Sequence, residues 1–259
     1  MDTSLIFHRL ELLIGKNQLE RIKTKKVIIF GTGGVGSWCA ESLVRSGIRQ
    51  LALVDSDFIC ITNLNRQLQT NVHNIGKSKV QELRNRLLTI NPVAQIAALK
   101  EIYEERTSSL FHLEQYDYVI DAIDSLKNKI HLLATCREKG IPVFSSMGSA
   151  CKINPSKIRV GKLSETTICP LAKRVRRGLR ESGLPEDIIC VYSVEPASRP
   201  LENSTCGSEN CVCPDIDEHN WCEQKARING TVAHIPAIFG FTLSGLVIMD
   251  IVGNVNADK

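Results

Sequence analysis

The sequence contains no internal repeat and no low-complexity segment, which removes solenoids and disordered arrays from consideration. Its first 21 residues carry charges inside an apolar periodicity and lack a cleavage-like small-residue site, so a signal peptide is not expected. Cysteine is sparse for a secreted scaffold, at ten of 259 residues, and paired Cys-x-x-Cys knuckles are absent. The run Ile235–Met249 falls short of the about 20 residues a membrane span needs, and Pro236 and Asp250 bracket it. A buried core helix is expected there, with a membrane anchor as the alternative. Apolar residues make up 43% and charged residues 23%, which excludes disorder, collagen and coiled coil. That is enough to bury a core without disulfide staples. A cytoplasmic protein with reduced thiols is expected.

Charge is ordinary in sum and uneven in place. The net value is +4, yet Lys152–Arg180 carries nine basic residues against one acid, Glu165. From Glu181 to Gly230 ten acids face three bases. A single basic block on a mildly acidic body fits a polyanion-binding face, and a solvated helix face is the plainer alternative.

Residues 2–23 have the apolar spacing of helices, with a break at Gly15. Short β-branched runs then alternate with helical stretches: strands at 26–31, 50–55, 95–99, 116–120 and 142–145, helices at 37–45, 79–88, 104–113 and 126–139. That alternation predicts an α/β, doubly wound, mostly parallel sheet, Rossmann-like, with N-terminal helices and a C-terminal extension. One domain spanning 1–259 is expected, its nucleotide-binding part at 1–148 and its second part at 149–259. Beyond 148 the pattern gives an exposed strand at 157–163, a basic helix at 171–180 and a long loop at 196–220.

Gly31, Gly33 and Gly36 follow the first strand and open a helix, the fingerprint of a dinucleotide or nucleotide phosphate site. Gly34 adds close backbone approach, and Asp55 ends the second strand where it can accept ribose hydroxyls. A nicotinamide dehydrogenase would share all of this. It would not need Asn63, Arg66 and Lys79 gathered after the ribose carboxylate, whereas a triphosphate undergoing displacement does. Asp121-Ala-Ile-Asp124 stands near the end of a core strand, where a carboxylate can hold magnesium against phosphate oxygens. An ATP-dependent adenylating site is therefore the better reading.

The runs GTGGVGS, VDSD, TNLNRQ, GKSK and DAIDS resemble the ubiquitin-activating-enzyme-like superfamily, over residues 5–148. The resemblance implies that Gly34, Asp55, Asn63, Arg66 and Ser125 contact the nucleotide, Lys79 the phosphates and Asp124 the Mg2+ ion. Arg9 matches the arginine that such enzymes insert into the ATP site of a second subunit, which implies a homodimer. A charge on a surface helix is its alternative.

The second half is similar to one branch, the tRNA threonylcarbamoyladenosine dehydratases, in Ser145–Gly148, Asn154-Pro155, Pro170–Arg180, Cys190–Ser193 and Glu195-Pro196. This implies adenylation of the carboxylate of N6-threonylcarbamoyladenosine in the tRNA anticodon loop, then ring closure with release of AMP. Lys173, Arg174, Arg176, Arg177 and Arg180 would contact tRNA phosphates without reading sequence. A sulfur-relay protein is a further expected partner. The alternative function is activation of the C-terminus of a ubiquitin-like sulfur carrier protein. Cys190 is either a buried structural thiol or one with a sulfur-relay or catalytic role. Cys206, Cys211, Cys213 and Cys222, with His219 between the last two, are weak zinc candidates because their spacing is not that of paired knuckles.

Overall fold

The run Lys26–Phe30 (β1) has β-branched or aromatic side chains at four successive positions, all fully buried in the computed structural model, which describes residues 3–198 and 229–253. A strand buried on both faces has parallel neighbours and a continuous apolar sequence, and β1 has both. Ahead of it lie a 3-10 turn, α1 (His8–Ile14) and α2 (Lys16–Thr24). Gly15, with φ of 82°, separates the two helices as expected.

The remaining elements follow in order: α3 (Gly36–Arg45), β2 (Gln50–Val54), α4 (Lys79–Ile90), β3 (Gln95–Leu99), β4 (Tyr118–Asp121), α5 (Leu126–Glu138) and β5 (Val143–Ser146). Then come β6 (Ile158–Lys162), α6 (Pro170–Glu181), β7 (Ile189–Ser193) and α7 (His234–Val252). The seven strands form one sheet in the order β3-β2-β1-β4-β5-β7-β6, with only β6 antiparallel. The sheet therefore continues from the first half of the chain into the second through the β5–β7 pairing. Strand order reverses between β1 and β4, and in such sheets the crevice at the carboxyl ends of those strands is where ligands bind.

Two cores lie on the two faces. Val27 and Ile29 pack with Cys39, Leu43, Leu83, Phe239 and Val247, while Ile28 and Phe30 pack with Tyr103, Leu132, Val175 and Cys190. The alternation along β1 is the two-residue period of a strand. Each fully buried Leu or Ile in these clusters contributes about 1.5–3 kcal/mol. Helix α7 is the apolar run of the sequence. It is long and apolar enough to cross a membrane, but it lies against α3 as a core helix, and Phe239, Leu243, Val247 and Ile251 are buried in it. Its far end is tied to β4 by Tyr118 Oη donating to Asp250 Oδ2 at 2.6 Å.

Two expectations change, and one strand was not expected. The helix expected over 104–113 is a 3-10 segment, Glu105–Phe111, followed by His112 at φ 43° and a second 3-10 turn. Thr107 and Ser108 turn their hydroxyls back onto the carbonyls of Ile102 and Glu105, competing with α-helical bonding. The strand expected from 116 begins at Tyr118, because Asp117 instead accepts the backbone N–H of Lys26 at 2.9 Å. The pattern did not predict β7, which lies between β5 and the edge strand β6.

Candidate active site

The carboxyl ends of β1, β2 and β4 open onto a cavity of about 600 Å³. Gly31, Gly33, Gly34, Asp55, Asn63, Arg66, Lys79, Asp124 and Ser125 all line it. Two glycines explain how the chain turns there. Gly31 has φ of 88°, and a Cβ on it would sit 2.6 Å from the Ala122 carbonyl oxygen across the strand reversal. A Cβ on Gly36 would come within 1.8 Å of the Gly31 carbonyl oxygen, so the turn into α3 closes only without one. Gly33, by contrast, has room for a side chain, with its nearest neighbour 3.7 Å away. The N-terminus of α3 thus faces the cavity, its first N–H groups and dipole available to an anion.

Asp55 is fixed before any ligand arrives. Its Oδ2 accepts the backbone N–H of Thr32 at 2.7 Å and the Thr32 hydroxyl at 3.1 Å; its Oδ1 accepts the N–H of Asp57 at 2.9 Å. A carboxylate offers about four acceptor positions, so one is left for a hydroxyl in the cavity. Asn63 is buried, and its Oδ1 accepts the N–H of Cys60 at 3.0 Å. Arg66 donates from Nη1 to the Thr62 carbonyl at 2.6 Å and to Asn65 Oδ1 at 3.0 Å, while Trp38 Nε1 donates to its carbonyl at 3.1 Å. Partial burial lowers the Arg66 pKa from its ordinary value by penalising the charged form. The Lys79 side chain is nearly buried, with Nζ 2.6 Å from Asp57 Oδ2. Asp124 is exposed and carries no ion pair among the described residues.

Below this surface lies a group that sequence reasoning missed. Lys129 and Asp121 are both fully buried and 2.6 Å apart. Asp121 Oδ2 also accepts the Ser145 hydroxyl at 2.6 Å, Oδ1 accepts the Ile123 N–H at 3.1 Å, and Lys129 donates to the Ser146 carbonyl at 3.0 Å. The network ties the end of β4, the loop bearing Asp124, the start of α5 and the end of β5 into one unit. A signal was available. The buried positions of α5 are 129, 132, 133 and 136, so Lys129 stands in the apolar stripe and not on the solvent face.

The other predicted residues are dispersed. Arg9 is exposed on α1, outside the residues lining the cavity. On α6, Ala172, Val175 and Leu179 form the buried stripe, while Lys173, Arg174, Arg177 and Arg180 are exposed. Arg177 reaches Glu181 and Arg180 reaches Glu186, at 3.4 and 2.7 Å. Arg176 is turned inward, donating to the carbonyls of Leu163 and Thr166 and to the Thr166 hydroxyl. It does not share the exposed basic face. Cys190 is fully buried in β7, and burial pushes its thiol up to about 12, which keeps it protonated. Cys206, Cys211, Cys213 and Cys222 lie outside the described residues, as does most of the expected 196–220 loop. Among the described residues no group of three or more His, Cys, Asp or Glu is placed to hold a metal.

Residues 7–256 match the ThiF family. The chain is 37% identical over 254 residues to the tRNA threonylcarbamoyladenosine dehydratase of Bacillus subtilis, covering 98% of this chain and 97% of that protein. It is 34% identical over 236 residues to the tRNA threonylcarbamoyladenosine dehydratase of Escherichia coli, covering 88% and 87% of the two. The solved structure of E. coli tRNA N6-threonylcarbamoyladenosine dehydratase in complex with ATP matches with a TM-score of 0.82 and 28% identity, over 97% of this chain and 96% of that one. The same enzyme in complex with AMP matches with a TM-score of 0.83.

Proposed function

The chain belongs to the ThiF family, and on that premise we propose that it is an ATP-dependent tRNA threonylcarbamoyladenosine dehydratase. The observation that carries the reading is one cavity lined by Gly31, Asp55, Asn63, Arg66, Lys79 and Asp124, in a fold whose full-length relative is solved with ATP and with AMP. Relatives named as dehydratases cover nearly the whole chain, which favours this reading over activation of a sulfur carrier protein.

The carboxylate of the threonylcarbamoyl group attacks the α-phosphorus of ATP, and the bond to pyrophosphate breaks. A nitrogen of the same side chain then closes on the acyl adenylate, AMP leaves with the former carboxylate oxygen, and the nucleoside has lost one water. Closure is intramolecular, so high effective molarity replaces a protein nucleophile. That removes any need for a reactive cysteine, and it agrees with the burial of Cys190. What this chain supplies is position and charge. Asp55, held by Thr32 and Asp57, takes the ribose; Asn63, Arg66 and Ser125 contact the nucleotide; Lys79 meets the phosphates.

The charge balance shows what else is needed. The cavity lining holds four carboxylates, Asp55, Asp57, Glu101 and Asp124, against two cations, Arg66 and Lys79. Those cations alone do not neutralise a triphosphate. Asp124, exposed and without an ion pair among the described residues, fits a Mg2+ ion, which needs only one or two carboxylates alongside phosphate oxygens. When bound, magnesium neutralises charge on those oxygens. Arg9 of a second copy would add a further cation. Beside it Leu12 and Leu13 are 73% and 75% exposed, an apolar surface suited to burial in a homodimer.

The tRNA anticodon loop would reach the cavity with its backbone against α6, where Lys173, Arg174, Arg177 and Arg180 are exposed. A sulfur-relay protein, if it docks, meets no reactive thiol at Cys190. The reaction belongs in the cytoplasm, where tRNA and ATP are available. Asp124→Ala tests the site directly. Pyrophosphate release in the presence of substrate tRNA is expected to vanish while the thermal transition is kept. Retained release would remove Asp124 from the machinery.

A further inference from the structure

We infer that Asp57 is the resting counter-ion of Lys79, a built-in competitor that polyphosphate displaces on binding and that reclaims the lysine as pyrophosphate leaves. The inference rests on the adenylating reading of the cavity and concerns a residue to which that reading gives no role toward the nucleotide itself.

The geometry is specific. Lys79 Nζ lies 2.6 Å from Asp57 Oδ2, and both residues line the cavity. The Lys79 side chain is 6% exposed and that of Asp57 27%, so the carboxylate is the more open of the two. The position of Asp57 is set by its backbone. Its N–H donates to Asp55 Oδ1 at 2.9 Å, and its carbonyl accepts the Lys79 N–H at 3.1 Å. One short segment therefore fixes the ribose carboxylate, the competing carboxylate and the first residue of α4 relative to one another.

Two electrostatic consequences follow. An arriving polyphosphate gains less from Lys79 than it would from an unpaired ammonium, because that charge is already met. It also meets an additional negative charge in a partly enclosed site, where screening by solvent is weak. Both effects weaken the grip on polyphosphate and leave the nucleoside end of the cavity untouched. An enzyme that must shed pyrophosphate in every turnover gains from this arrangement, since the pair re-forms as the product departs.

The test uses the full chain and its Asp57→Asn variant, with inorganic pyrophosphate and adenosine as separate probes in calorimetry at fixed magnesium. Asp57→Asn is expected to bind pyrophosphate about five-fold more tightly, the effect of releasing one partly exposed ion pair. Adenosine affinity is expected to stay within about two-fold. In turnover, KM for ATP falls while kcat does not rise. Unchanged or weaker pyrophosphate binding overturns the inference. So does parallel loss of adenosine binding, which would assign Asp57 to holding the loop and not to competing for Lys79. Failure of the underlying reading is separate: there the unsubstituted chain itself would bind no ATP.

Discussion

Replacing Lys129 with methionine removes the only buried ammonium in the network beneath the cavity, and its cost can be worked from the geometry. Both Lys129 and Asp121 are fully buried, so neither regains water when its partner goes. Asp121 would keep two neutral donors, the Ser145 hydroxyl at 2.6 Å and the Ile123 N–H at 3.1 Å, and lose its charged one. Breaking such a pair from one side costs about 3–5 kcal/mol, because an uncompensated carboxylate stays in the interior. Against a domain margin of roughly 5–15 kcal/mol, that is a large share. At about 2–4 °C per kcal/mol for a chain near this size, Tm falls by roughly 6–20 °C. The assay is thermal and urea unfolding followed by circular dichroism, run beside the double variant Lys129→Met with Asp121→Asn. The double variant carries no buried charge and is expected to recover much of the loss. A single-variant loss below about 1 kcal/mol, or a double variant no better than the single, would refute the reasoning.

Two further predictions concern charge. Burial raises the Glu41 pKa, but hydrogen bonds from Arg86 and Arg45 outweigh it and hold the carboxyl below its ordinary value of 4.5. Its contribution is therefore complete above that value and is lost as pH falls through the lower folded one. Glu41→Gln is expected to unfold more easily at pH 7, with the gap from the unsubstituted chain narrowing in acid; a gap independent of pH would contradict this. Reversing Lys173 and Arg174 to glutamate is expected to weaken tRNA binding and flatten its salt dependence, read by filter binding across a salt series. Unchanged affinity and slope would make α6 a solvated face.

The parts of the fold legible in the sequence are those where local pattern and tertiary context agree. β1 reads as a buried strand because it is apolar at four successive positions, Val27–Phe30, and Gly31 and Gly36 mark a turn that no side chain fits. The cavity residues were legible because phosphate chemistry needs cations and glycines at fixed places along a β–α unit. Other features depend on which face a residue takes. Arg176 is four residues from Ala172 and three from Leu179, so it shares their buried side, but its charge suggested solvent. Lys129 drew no reading at all, although it too lies in a buried helical stripe. In both cases helical spacing held the answer and residue type obscured it. β7 went unread although Ile188–Tyr192 is a continuous apolar run of the same kind as Val27–Phe30; only its place between β5 and β6 depends on tertiary pairing.

The central claim is a chemical one, and one measurement reaches it. The purified chain is incubated with ATP, magnesium and tRNA bearing threonylcarbamoyladenosine, and the nucleosides are then analysed by mass spectrometry. The account predicts ATP-dependent loss of one water from that nucleoside, with AMP and pyrophosphate formed in equal amount. An unchanged nucleoside, with or without adenylation of a carrier protein added to the mixture, would contradict it.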